Sequence, residues 1–133
     1  MIIGVILIMR GSKKDMKKTM ETSGLDIQEA VWGGMHLGIE TYKEKVDLEP
    51  LLKGLPADSC QSPHWGYMVK GSMLVKYKDC EEVINAGDAY YLPPWHIAIV
   101  EANSEMVEFS PKDDYQKVNE VVERNFAKKQ ERI

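Results

Sequence analysis

Apolar and polar residues alternate along most of the chain in short runs that are separated by turn signals. Glycine, proline, aspartate and asparagine stand between most of these runs. Many short strands at near-regular spacing are typical of a sandwich or a barrel. The pattern predicts an all-β region from about residue 27 to residue 110, with strands at 31–32, 37–42, 64–69, 73–78, 81–84, 89–92, 96–101 and 105–109.

The N-terminal part of the chain combines an apolar run with a helix-like spacing. Residues 1–9 are apolar and rich in Ile and Val, which favours a strand. It could pair with a neighbouring chain, form a poorly ordered extension, or precede a true start at Met9. The run ends at Arg10, well short of the about 20 residues that cross a membrane. Ser12 and Asp15 then have the spacing of a capping box. We expect a short amphipathic helix over residues 13–22.

A second helix is predicted at the C-terminal end of the chain. Ser110 stands in the position of an N-cap, and Pro111 would be the first helical residue. An apolar stripe follows at spacings of three and four: Tyr115, Val118, Val122 and Phe126. The spacing predicts a helix over about residues 111–130, packed on the barrel or on a partner subunit.

Composition and charge narrow the function classes. The chain has 133 residues, the size of one domain, and its 17 basic and 21 acidic residues give a net charge of -4. This balance argues against nucleic-acid binding, which needs a basic surface. No phosphate-binding loop is present, so we expect no nucleotide cofactor. The two cysteines, Cys60 and Cys80, are too few for a disulfide scaffold, and we expect reduced thiols in a cytoplasmic protein without membrane contact.

Two segments resemble the paired motifs of the cupin superfamily. Residues 64–71, HWGYMVKG, are similar to the part of motif one that ends in V-L-x-G. Residues 87–93, GDAYYLP, are similar to the G-D-x-x-x-x-P opening of motif two. The resemblance covers about residues 60–110 and implies an antiparallel cupin-type barrel, a double-stranded β-helix, with a pocket inside. It also implies that the chain, as a single cupin domain over residues 1–133, forms a homodimer.

The metal ligands of the cupin motifs do not stand in their usual places. The resemblance implies two His and one Glu from motif one and one His from motif two. When Gly71 is aligned with the motif-one glycine, His64 takes the place of the Glu and Ala98 that of the motif-two His. Trp95 replaces the motif-two glycine. A standard cupin metal site therefore cannot be transferred residue by residue.

A different ligand set lies close to the same positions. Cys60 precedes His64 by four residues, near an expected ligand position, and His96 would share a strand face with Ala98. Cys60, His64 and His96 are therefore candidate metal ligands. Asp58 could be a fourth ligand, but the simpler interpretation is an exposed acidic residue in a loop. Thiolate and imidazole suit zinc, iron or nickel, and three ligands with an open position are typical of a catalytic site.

The same residues also have structural interpretations. Pro63 and Pro94 flank the two histidines, which could lie at the barrel rim and bond to the backbone. Cys60 could be a small apolar loop residue. We expect Cys80, in an apparent hairpin turn, to be structural and His36 to be a surface or packing residue.

Strand alternation also divides the residues of the first motif between two faces. Gly66 and Met68 fall on the face of His64, whereas Trp65 and Tyr67 fall on the opposite face. One set would line the pocket, and the other would pack between sheets or subunits.

Three functions remain open. The one slightly favoured is a small cupin that binds a divalent metal or a small organic ligand in its pocket, because the usual ligand set is broken. The second is a metal-dependent enzyme, of the oxygenase, isomerase or lyase kind, that acts on a small molecule. The third is a structural homodimeric barrel with an empty pocket.

Overall fold

The computed structural model describes residues 9–131, so the strand predicted over residues 1–9 lies outside them except for Met9. Within this part of the chain there are ten strands, one α-helix and two short 3-10 helices at Glu49–Leu52 and Pro56–Asp58. The strands and the helix are β1 (Lys17–Glu21), β2 (Leu25–Trp32), β3 (Met35–Tyr42), β4 (Val46–Asp47), β5 (His64–Lys70), β6 (Ser72–Lys76), β7 (Glu81–Asn85), β8 (Ala89–Leu92), β9 (Ile97–Val100), β10 (Ser104–Pro111) and α1 (Lys112–Glu131).

The strands form two antiparallel sheets, as the alternation predicts. Six strands pair in the order β1-β2-β3-β10-β5-β8 and four in the order β4-β9-β6-β7. The described strands do not close into one continuous barrel, which corrects the expectation of a closed one, because β4 has two residues and pairs only with β9. The inner faces share one core: Tyr42, Met68, Met73, Val75, Ile84, Leu92, Ala98, Val100 and Met106.

The helix predicted over residues 13–22 is wrong. The spacing of Ser12 and Asp15 serves a turn instead: Ser12 Oγ donates to Asp15 Oδ2 at 2.9 Å, and the Met16 N–H donates to the Ser12 carbonyl at 3.0 Å. β1 then pairs with β2, so the sheet begins before the predicted boundary near residue 27. A helix this short is marginal in water, whereas β1 gains a ladder of hydrogen bonds at the sheet edge.

The predicted C-terminal helix is confirmed as α1, and it packs on the sheets of its own chain. Its apolar stripe contacts the 3-10 segment, where Val118 packs with Leu52 and Cys60. Asn125 Nδ2 donates to the carbonyl of Leu51 and to that of Lys53, both at 2.8 Å. Among the residues described, no helix combines the length and apolar character needed to cross a bilayer.

The two motif turns have a physical explanation. Gly71 has a φ of 81°, and a Cβ there would lie 2.6 Å from the Ser104 Cα, so only glycine fits between the two sheets. In the second motif, the Asp88 carboxylate accepts a hydrogen bond from the Asn85 N–H at 2.8 Å and fixes the turn before β8. Gly87 in that turn has a φ of 94°. Both glycines therefore set strand connections rather than chemistry.

Candidate metal centre and pocket

The three candidate ligands come together in the structure. Cys60, His64 and His96 are buried, and one ligand atom from each lies within 4.8 Å of the other two. Cys60 Sγ is 3.5 Å from His64 Nε2, and the two imidazole rings meet edge-on with centroids 4.9 Å apart. Asp58 does not join them: its side chain is exposed and accepts a hydrogen bond from the Gly54 N–H at 2.9 Å.

A backbone bridge holds Cys60 beside His96. The Cys60 N–H donates to the His96 carbonyl at 2.8 Å, and the Trp95 N–H donates to the Cys60 carbonyl at 2.7 Å. Trp95 has a φ of 79°, the left-handed conformation that the motif-two glycine would adopt without strain. A bulky residue in that conformation costs on the order of 1–3 kcal/mol and persists only where its surroundings enforce it. The turn at Trp95 therefore positions His96 at a local cost in stability.

Both imidazoles are oriented by a hydrogen bond on the side away from the cluster. His96 Nδ1 donates to the Pro93 carbonyl at 2.7 Å, which leaves the lone pair of Nε2 free. His64 Nδ1 is hydrogen-bonded to Ser110 Oγ at 2.6 Å, while its Nε2 faces Cys60. Partners of this kind fix the tautomer and ring orientation of metal-binding histidines. The sequence pattern predicted that Ser110 is the N-cap of α1. In the structure Ser110 is the penultimate residue of β10, and its hydroxyl orients His64.

Burial sets the protonation of the cluster. Burial lowers the pKa of His64 and of His96 to about 4, so both imidazoles are neutral at pH 7 and can act as ligands. Burial raises the pKa of the Cys60 thiol to about 12, and the free thiol is therefore a poor nucleophile. A metal ion would displace the thiol proton on binding, as coordinated thiols ionise.

The cluster faces a cavity of about 250 Å³ between the two sheets. Ala98 shares this cavity with His96, as the predicted strand face requires. One side of the cavity is closed by the apolar stripe of α1: Tyr115, Val118, Val122 and Phe126. A mostly apolar cavity with a few polar groups suits a small organic ligand.

Two glutamates that the sequence did not single out also line this cavity. Glu40 lies on β3 and accepts a hydrogen bond from the Tyr42 hydroxyl at 2.7 Å. Glu108 lies on β10 and accepts one from the Tyr90 hydroxyl at 2.6 Å. An available signal was the period of two, which puts Glu40 on the face of Tyr42.

The remaining residues that the sequence singled out lie outside the cluster. The His36 ring is hydrogen-bonded to the Glu29 carboxylate and stacks on Tyr115 with centroids 3.5 Å apart, so it packs α1 against β3. Cys80 is exposed in the turn between β6 and β7, and neither cysteine forms a disulfide. Trp65 and Tyr67 lie on the outer face of the larger sheet, where they are 45% and 49% exposed.

No family model matches the sequence, and no curated protein matches it either. Solved structures do match. An RmlC-like cupin from Shewanella frigidimarina NCIMB 400 has a TM-score of 0.54 at 16% identity over 76% of this chain and 88% of that chain. The polyketide cyclase RemF from Streptomyces resistomycificus has a TM-score of 0.56 at 14% identity over 80% of each chain. The EutQ protein of Clostridium difficile has a TM-score of 0.51 at 13% identity over 78% of this chain and 82% of that chain.

Identities this low carry information about architecture and none about activity. The overlap extends over three quarters or more of this chain with TM-scores above 0.5, which supports the architecture of the two antiparallel sheets. The chain has the cupin fold.

Proposed function

We propose that the protein binds a divalent transition metal at Cys60, His64 and His96, in a cavity that also takes a small organic ligand. The observation that carries this proposal is the convergence of one sulfur and two imidazole nitrogens within 4.8 Å in a buried place. Zinc, iron and nickel accept this donor set, whereas magnesium and calcium prefer oxygen.

The chemistry of the donors supports the proposal further. Both imidazoles are neutral and oriented, by Pro93 for His96 and by Ser110 for His64. One thiolate would offset one of the two charges of the ion. Three protein ligands would leave a coordination position for water or a ligand from the cavity, where the ion would act as a Lewis acid or lower the pKa of the water.

Metal content tests the proposal directly. Purified protein would be loaded with zinc, iron or nickel in separate samples, freed of unbound ion, and analysed for metal. We expect about one ion per chain in the wild type and in Cys80→Ala, and a strong loss in Cys60→Ala and His96→Ala. Cys80→Ala is the matched control because it removes the other cysteine, which is exposed. Wild-type protein that retains none of the three metals, or Cys60→Ala and His96→Ala variants that both retain them fully, would contradict the proposal.

A metal-dependent enzyme is the second candidate function. The carboxyl groups of Glu40 and Glu108 in the same cavity favour it, because a metal beside an acid or base can promote proton transfer. Zinc-loaded protein that catalyses deuterium exchange into hydroxyacetone in D2O, and loses this with Glu108→Gln, would support an enzyme. A structural barrel with an empty pocket is the outcome if neither metal nor small ligand binds.

We also propose a homodimer. Its support is an aromatic row on the outer face of the larger sheet, where Phe109, Trp65 and Tyr91 are paired neighbours on β10, β5 and β8 and are 41%, 45% and 52% exposed. A second copy related by a two-fold axis would cover this row. Light scattering at about 100 µM, a concentration above the dissociation constant of most stable dimers, should give twice the mass of one chain. The Trp65→Glu variant should give the mass of one chain. A monomeric wild type at this concentration would contradict the proposal.

A further inference from the structure

The strand register places two carboxyl groups side by side inside the cavity. On β3 and β10, Glu40 is opposite Met106 and Glu108 is opposite Gly38, so the two glutamates are diagonal neighbours on the inner face. Side chains of this length can meet across such a diagonal, and both carboxyl groups line the same cavity. We call Glu40 and Glu108 the carboxyl pair.

The carboxyl pair has no lysine or arginine ion-pair partner among the described residues, although a charge on His36 acts to lower the pKa of both groups and Lys129 lines the same cavity. Across residues 9–131, the only side-chain donors to it are the hydroxyls of Tyr42 and Tyr90, and no lysine or arginine forms an ion pair with either carboxylate. Tyr42 reaches one oxygen of Glu40 and Tyr90 one oxygen of Glu108, so one oxygen of each remains without a hydroxyl donor. The enclosed pair therefore presents acceptor oxygens and negative charge to the cavity.

Burial keeps one proton on this pair near neutral pH. Burial and the charge of Glu108 raise the pKa of Glu40 to about 8, and burial also raises the pKa of Glu108. Two carboxylates in contact in an apolar enclosure cannot both ionise easily. Because Glu40 is mostly protonated at pH 7, the pair carries at most about one negative charge, and no lysine or arginine of the described residues forms an ion pair with it.

Aromatic rings surround the pair. Tyr42 and Tyr90 donate to it, and Tyr115 of α1 lines the same cavity. Gly66 makes this arrangement possible, since a Cβ there would lie 2.5 Å from the Tyr90 hydroxyl oxygen. Tyr42 and Tyr90 meet the pair through their hydroxyls, and one face of Tyr115 is covered by His36. The attraction of the site for an organic cation therefore comes from the carboxyl groups first and from any ring face left open to the cavity second.

We infer that the carboxyl pair binds the ammonium group of a small amine ligand, whose apolar part fills the rest of the cavity. The ammonium would supply the missing positive charge and donate to the free oxygens. An alcohol would donate without adding charge, and a carboxylate would be repelled. This inference names the ligand class for the pocket under Proposed function, and it rests on the small-ligand part of that proposal, not on the metal.

The site is close to the candidate metal centre without being part of it. Glu108 precedes Ser110 by two residues on the inner face of β10, and Ser110 holds His64. Residues two apart on a strand are separated by about 7 Å. A short ligand with an ammonium at one end could therefore reach the metal centre with the other end.

Calorimetric titration of the metal-free full chain at pH 7 tests the inference, with n-butylamine, n-butanol and butyrate as probes. We expect n-butylamine to bind at least tenfold more tightly than n-butanol, and butyrate not to bind. Glu40→Gln and Glu108→Gln should each weaken amine binding tenfold or more. Glu105→Gln is the matched control, because Glu105 lies on the opposite face of β10 and pairs with Lys13.

Three results would overturn the inference. They are equal binding of n-butylamine and n-butanol to the wild type, unchanged amine binding in both carboxyl-pair variants, or no amine binding by the folded wild type. The selectivity between amine and alcohol needs no variant, so it stands even if a variant fails to fold. Zinc content separates the two proposals: Glu108→Gln should lose amine binding and keep zinc, whereas Cys60→Ala should lose zinc and keep amine binding.

Discussion

Gly66 lies under the ring of Tyr90, and its replacement by alanine tests how the polar side of the cavity is built. An ideal Cβ at this position would be 2.5 Å from the Tyr90 hydroxyl oxygen and 2.8 Å from Cε1. The φ of Gly66 is not in the left-handed region, so alanine fits the backbone and only the ring must move. Because Tyr90 donates to Glu108 at 2.6 Å, moving the ring breaks that hydrogen bond.

The expected cost follows from these two effects. Overpacking a fitted site costs about 1–3 kcal/mol. Losing a hydrogen bond to a charged group costs about 1.5–3 kcal/mol, and the smaller backbone entropy of alanine returns about 0.5–1 kcal/mol. We expect Gly66→Ala to lower the free energy of unfolding by about 2–5 kcal/mol.

Urea unfolding at pH 7, followed by tryptophan fluorescence, measures this cost in two backgrounds. In Tyr90→Leu the ring and the hydroxyl are absent, so Gly66→Ala should cost less than about 1 kcal/mol there. Gly33→Ala is the control: its φ is 57° and no atom lies within 4 Å of the added Cβ, so it should cost about 1–2 kcal/mol in both backgrounds. An equal cost of Gly66→Ala in both backgrounds would show that the Tyr90 ring does not cause the destabilisation.

Three further predictions concern the buried groups. The folded chain holds a proton on Glu40 up to about pH 8, whereas the unfolded chain releases it near pH 4.5. The free energy of unfolding should therefore fall as the pH rises through this window, by about 1.4 kcal/mol per pH unit for one proton. Glu40→Gln should reduce that slope in urea unfolding at pH 5, 6.5 and 8, and Glu108, whose pKa burial also raises, accounts for any slope that remains. Ser110→Ala leaves His64 Nδ1 without its partner and should weaken zinc affinity about 10- to 100-fold in a chelator competition. An Ellman titration of the metal-free native protein should modify Cys80 quickly and Cys60 only after unfolding, because Cys60 is buried.

Much of the sheet could be predicted because its signals are local. The turn glycines Gly71 and Gly87 need a positive φ, and β6 between them alternates in burial with a period of two. The helical spacing of α1 was also readable from its apolar stripe. In these segments the local preference and the tertiary contacts agree, so the sequence pattern predicts the element.

The prediction of an N-terminal helix was wrong because a tertiary contact outweighed a local sequence signal. Ser12 and Asp15 interact at capping-box spacing, but they close a turn before β1. The pairing of β1 with β2 is invisible in the local pattern. An edge strand with mixed polarity resembles an amphipathic helix when it is read alone.

The site was predicted in part. Cys60 and His64 were predicted from their positions relative to motif one, and His96 from the strand face that it shares with Ala98. Neither argument needs knowledge of long-range contacts. Glu40 was missed because Leu37 and Ile39 lie on the opposite face of the same strand. An apolar face of this kind is normally expected to point toward the core, which would leave Glu40 in solvent. The side that faces the cavity is set by how the sheets pack, and that is not encoded in one strand.

The same limit applies to Ser110. Serine followed by proline before a helical stripe is a common N-cap signal. The partner that captures its hydroxyl, His64, is 46 residues away in the sequence. Only the pairing of β10 with β5 brings the two together, so the sequence alone favoured the local interpretation.

X-ray absorption of the zinc-loaded protein tests the proposed metal centre directly, because it reports the atoms bound to the ion. Zinc held by Cys60, His64 and His96 should show one sulfur at about 2.3 Å and two imidazole nitrogens at about 2.0–2.1 Å. The sulfur should disappear in Cys60→Ala and persist in Cys80→Ala. A spectrum of the wild type with no sulfur ligand, or with a sulfur that survives in Cys60→Ala, would contradict a metal centre built from Cys60, His64 and His96.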